Sequence, residues 1–89
     1  MNEQTTEDDE AFAATTLTQA IENQLEAGEP AAVQATLNKL TLVGYEREEI
    51  IKLMALVLAH EIQDMMSDNR PFDNDGYEAM LRRLPELPE

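Results

Sequence analysis

Apolar residues recur along this chain at helical intervals, and in one stretch they recur too often for a single stripe. Residues 50 to 66 read Ile-Ile-Lys-Leu-Met-Ala-Leu-Val-Leu-Ala-His-Glu-Ile-Gln-Asp-Met-Met. On a helix of 3.6 residues per turn, Ile50, Leu53, Met54, Val57, Leu58, Ile62 and Met65 cover one broad face, Ile51, Ala55 and Met66 extend it, and Leu56 falls near the back. A helix apolar over most of its circumference has to be surrounded. Other helices of the chain, or a second copy of it, must supply the cover.

The same periodicity predicts three further helices. The first spans roughly 10 to 27, carried by Phe12, Ala13, Leu17, Ala20, Ile21 and Leu25, with Gly28 as its stop and Pro30 at the first turn of the next. The second spans roughly 30 to 43 on Val33, Leu37 and Leu40, broadened by Ala32, Thr36 and Val43, and it ends at Gly44. Tyr45 then leads into the long helix, about 46 to 67, whose first turn carries Glu46, Glu48 and Glu49 against the positive end of the helix dipole. Ser67-Asp68-Asn69-Arg70-Pro71 breaks it. A last helix starts at Asp73, a capping residue flanked by Phe72 and Tyr77 as a hydrophobic staple, and runs on Tyr77, Met80, Leu81 and Leu84 to Pro85. No segment alternates as a strand would. The fold class is all-α, a compact four-helix bundle around a central, hydrophobic third helix, and residues 10–85 form its single domain. Residues 1–9 are polar and acidic and are expected to form a disordered tail, with a short C-terminal tail at 86–89.

Charge narrows the classes of partner. The formal net charge is -13, from 19 acidic and 6 basic side chains. Such a surface repels phosphate backbones, so DNA and RNA are not expected partners. The longest nearly uncharged apolar run, Leu53 to Ala59, is far shorter than the roughly 20 residues of a membrane span, and the acidic N-terminus is unlike an export signal. A cytoplasmic protein with no membrane association is expected. There is no cysteine, so neither disulfides nor thiolate metal sites can support this small core.

Four residues make up a candidate polar pocket. Glu61 falls between Leu58, Ile62 and Met65 on the face that should be most buried, where a carboxylate needs a cationic or hydrogen-bonding partner or else takes up a proton. Gln24 interrupts the first stripe between Ile21 and Leu25, and these two polar residues could meet across a helix pair and fix its register. His60, the single histidine, lies one turn before Asp64, and the two together could supply two metal ligands. A metal site needs more ligands than one helix offers here, so no metal or cofactor is expected and His60 is expected to pair with Asp64. No serine or threonine has a visible base, so nucleophilic catalysis has no support. Asp73-Asn74-Asp75-Gly76 fails as a calcium loop, because with Gly76 at the sixth position Pro71 and Arg82 stand where carboxylates are required. A helix-turn-helix reading of the second and third helices fails on charge, since Glu46-Arg47-Glu48-Glu49 would open the recognition helix.

The segment from Leu17 through Ala20-Ile21-Glu22-Asn23-Gln24, followed by Pro30, Leu37, Leu40, Gly44, then Phe72-Asp73, Tyr77 and Leu81, resembles a bacterial family of small all-α proteins of unknown function. Its members share an Ala-Ile-x-x-Gln segment, a central long helix and a Phe-Asp-x-x-x-Tyr closing helix. The resemblance covers roughly residues 14 to 84 and implies the same fold and a bacterial origin. Many relatives carry histidines near the starts of the first and the long helix, where this chain has Glu48-Glu49-Ile50-Ile51-Lys52, so a metal or activity in them does not carry over.

The function expected from the sequence is a protein–protein interaction or assembly module rather than an enzyme. Two alternatives stand beside it, a metal-binding or hydrolase-like protein using His60, Glu61 and Asp64, and an acidic decoy for a basic protein. A homodimer is expected, built on the side of the long helix that carries Lys52, Leu56, Ala59 and Gln63.

Overall fold

The computed structural model of the protein describes residues 2–88, with side chains from residue 14 onward. Four helices follow one another: α1 (Asn2–Ala27), α2 (Ala31–Val43), α3 (Arg47–Asp68) and α4 (Asn74–Arg83). Among the described residues there is no strand, and the protein is an all-α four-helix bundle. α3 is its axis. It packs against α1, α2 and α4, while α2 also lies on α4.

Local chemistry sets where the helices end. Gly44 adopts φ 116°, a left-handed conformation that a side chain would disfavour, and this turns its N–H and that of Tyr45 back onto Leu40 O at 3.1 and 3.0 Å. The Glu46 backbone N–H donates to Glu49 Oε1 at 3.2 Å, which closes the first turn of α3. Asn69, at φ 54°, ends α3. At the start of α4, Asp73 Oδ1 accepts from the Gly76 N–H at 3.1 Å, and the Phe72 and Tyr77 rings meet edge to face at 5.4 Å. The expected cap and staple are both formed. A Cβ on Gly76 would lie 2.5 Å from Asp73 Oδ2, so a side chain there would push the capping carboxylate aside.

The core is continuous. Ile21 of α1, Val33 and Leu40 of α2, Ile50, Met54 and Val57 of α3, and Tyr77, Leu81 and Leu84 around α4 are fully or almost fully buried. Thr36 enters it as well, donating from Oγ1 to Leu81 O at 3.1 Å, so its hydroxyl is not left unpaired. No helix among the described residues is long and apolar enough to cross a membrane.

Three expectations about surface and boundary change. The α1 backbone begins at Asn2 instead of near residue 10, so helix continues through the acidic segment expected as a tail. An apolar period marks only the part of a helix that packs, so it begins near Phe12 wherever the helical backbone itself begins. The side chains of residues 1–13, Phe12 and Ala13 included, lie outside the described residues, as does Glu89. Second, of the three residues expected to extend the apolar face of α3, Ile51 and Ala55 are buried as expected but Met66 is exposed, because it lies in the last turn of the helix. Third, Val43 is exposed with Leu42, because the last turn of α2 runs past the helices that cover the rest of it.

Candidate functional site

Glu61 is only 2% exposed, and both its oxygens are engaged. Arg70 donates from Nη1 to Oε2 at 2.8 Å and from Nη2 to Oε1 at 3.2 Å, while the Asp73 backbone N–H donates to Oε2 at 2.8 Å. Arg70 also donates to Pro71 O at 3.0 Å. The guanidinium holds the Glu61 carboxyl below the usual carboxylate range, outweighing the burial that would raise it, and the Asp73 N–H acts in the same direction as the arginine. One carboxylate therefore ties the loop after α3 and the start of α4 to the body of α3.

Gln24 has a different partner. The buried Tyr77 hydroxyl donates to its Oε1 at 2.8 Å, and burial pushes the Tyr77 pKa up to about 12. Gln24 and Glu61 thus do not pair with each other, contrary to expectation. α4 and its lead-in supply a partner to each, because a phenol brought into the core needs an acceptor and a buried carboxylate needs a cation. His60 and Asp64 lie side by side along α3, Nδ1 at 3.5 Å from Oδ2, an ion pair only when the imidazole is protonated. Among the described residues no group of three or more histidine, aspartate or glutamate side chains could hold a metal ion. The four residues of the candidate pocket serve three separate contacts.

The open site lies on the other side of α3. Leu56 is 54% exposed, Lys52 and Gln63 are exposed, and Ala59 is half-buried. Beside Leu56 a depression of about 470 Å³ runs between α1 and α3, with Ala14, Leu17 and Thr18 on one wall and Lys52, Ala55 and Leu56 on the other. Thr15 belongs to the lining too, and among the described residues the lining includes no acid and one base, Lys52. Farther along the same seam Arg47 clamps Glu22 through two bonds of 2.8 Å, from Nη1 to Oε2 and from Nη2 to Oε1. That bidentate contact lowers the Glu22 pKa and fixes α1 against the start of α3. The contribution of α1 to this surface was not visible in the sequence, because the facing of residues 25 to 42 positions apart has no local signal.

A second open apolar surface sits at the end of α2. Leu42 is 88% exposed, and next to it Leu37, Asn38, Thr41, Tyr45 and Arg47 help line a depression of about 510 Å³. Leu42 had no place in the expected α2 stripe, and its position opposite Leu40 on a helix is the signal that could have marked it.

In comparisons with known proteins, the chain matches no family model, no curated protein and no solved structure.

Proposed function

We propose that this protein is a small protein–protein interaction or assembly module that works through the depression between α1 and α3. The observation that carries the reading is a half-exposed leucine beside a largely apolar depression with no acid among its described lining residues, on a chain of net charge -13. Acids elsewhere on the surface keep the protein apart from other molecules, and an apolar strip without them is where desolvation costs least. A homodimer is the simplest assembly of this kind, and a bacterial cytoplasmic setting belongs to the same proposal. The metal-binding or hydrolase-like alternative is weaker, since Arg70 and the Asp73 N–H already occupy both oxygens of Glu61.

Paired capture from native cells tests this reading, with the wild-type protein and Leu56→Asp as baits and circular dichroism to establish equal helicity. A partner retained by the wild type and lost by Leu56→Asp is expected. Identical captures by both baits would overturn the role of the depression. The net charge favours a second reading, a decoy for basic proteins. Partners of that kind would be insensitive to Leu56→Asp and released by salt, because screening weakens attraction between exposed charges.

A further inference from the structure

We propose that the Asp75–Gly76 pair is a site of spontaneous aspartate isomerisation, and that the Asp73 cap sets how fast the reaction runs. Of the three glycines in the chain only Gly76 follows an acid. In such a pair the main-chain nitrogen reaches the neighbouring carboxyl with least hindrance, because glycine has no Cβ to stand in the way. Asp75 is exposed, so water reaches it.

The reaction needs nothing but water. The Gly76 nitrogen attacks Cγ of the Asp75 carboxyl in its protonated form and gives up its own proton, a carboxyl oxygen leaves as water, and a five-membered succinimide results. Water then opens the ring. Cleavage between the nitrogen and Cγ restores aspartate, whereas cleavage between the nitrogen and the former backbone carbonyl carbon leaves isoaspartate, with the main chain running through the side chain. The isomer carries one extra main-chain carbon in the first turn of α4, between the cap and Tyr77.

Three bonds oppose the attack, and Asp73 takes part in all of them. Its Oδ1 accepts from the Gly76 N–H at 3.1 Å, its carbonyl accepts from the Tyr77 N–H at 2.9 Å, and its own N–H donates to Glu61 Oε2 at 2.8 Å. Bringing the Gly76 nitrogen round to Asp75 Cγ rotates the peptide between them and pulls the first two bonds apart. Tyr77, only 1% exposed, is held in the core and cannot follow. The cap also ties the reactive pair to the fold, because a side chain at Gly76 that would hinder the attack would collide with Asp73 Oδ2. The pair therefore reacts in the brief openings of this turn, and their frequency follows the strength of the cap.

Incubation of the full chain in water enriched in oxygen-18 tests the inference, since each ring opening adds one solvent oxygen at Asp75. The initial rate is read by mass spectrometry after digestion in ordinary water, with isoaspartate measured alongside. The chain unfolded in urea supplies the uncapped rate, and the native wild type should label at least about tenfold more slowly. Asp73→Ala should raise the native rate about fivefold, the extra opening that one lost cap allows, and Asp73→Asn, whose side chain caps as well, should keep the wild-type rate. Ile21→Val, a core change of similar cost in α1, should leave the rate unaltered. Equal labelling of native and unfolded chains overturns the inference, as does a rate that Asp73→Ala leaves unchanged. Acceleration by Ile21→Val as large as that by Asp73→Ala overturns it too, because the reaction would then run through opening of the whole fold.

Discussion

Leu56 and Leu58 stand two positions apart on α3, yet Leu58 is 6% exposed and Leu56 is 54% exposed. Glu61 and Gln63 repeat the contrast with polar side chains, the glutamate buried and the glutamine exposed. Two steps along a helix turn it by about 200°, so each pair divides between opposite faces. The difference shows that position, not polarity, decides burial here. Where the inward face takes in a charge, the fold brings Arg70 and a backbone N–H to it, and where the outward face leaves a leucine, no helix of the same chain covers it.

The contrast can be broken at either end. Leu58→Ala should have the largest effect, a loss of about 2 to 5 kcal/mol by denaturant unfolding, because it opens a cavity on the covered face. A cost below about 1 kcal/mol would mean that the covered face lies elsewhere on α3. Glu61→Ala should follow at about 2 to 3 kcal/mol, since it strands the Asp73 N–H and the guanidinium bonds together. Acid should act in the same direction. The Glu61 carboxyl ionises more readily folded than unfolded, so its stabilisation is present above the ordinary value near 4.5 and is lost as pH falls below it. Equilibrium unfolding from pH 6 to 3 should therefore show a steeper acid loss in the wild type than in Glu61→Ala.

Tyr77→Phe should cost about 1 kcal/mol, the worth of one neutral hydrogen bond to Gln24. At high pH the sign reverses. The folded phenol ionises only near 12 while the unfolded one ionises near 10, so stability falls as pH rises above 10 in the wild type, and Tyr77→Phe should remove that limb. Leu56→Asp should be the smallest, within about 0.5 kcal/mol for the monomer, as for exposed positions in general. A larger loss would make Leu56 part of the fold and erase the contrast from which this comparison began.

Much of the fold could be read from the chain. Gly44 as a stop, Asp73 as a cap, Phe72 against Tyr77 and the central position of α3 all follow from patterns a few residues long. The candidate site was legible only in part. That Glu61 would be buried and would need a partner follows from its place among Leu58, Ile62 and Met65, but the partner, Arg70, sits in a run of residues whose composition says only that a helix ends. Which way a loop folds back depends on the helices it joins. The partnering of Gln24 by Tyr77, across 53 positions, depends on three-dimensional packing in the same way. Leu56 was visible as an outlier on its helix, whereas the wall that α1 raises beside it was not.

The ties of Glu61 also imply an order of assembly. Its bonds reach only 9 and 12 positions along the chain, whereas Gln24 meets Tyr77 across 53. Closing the longer span costs about 1 kcal/mol more chain entropy, so α3 and α4 should join as a hairpin before α1 arrives. In the reverse direction α1 should be the first helix to open, and with it goes one wall of the depression beside Leu56. A molecule held in that depression would therefore slow amide exchange most in α1, in the part of the chain least able to close on its own.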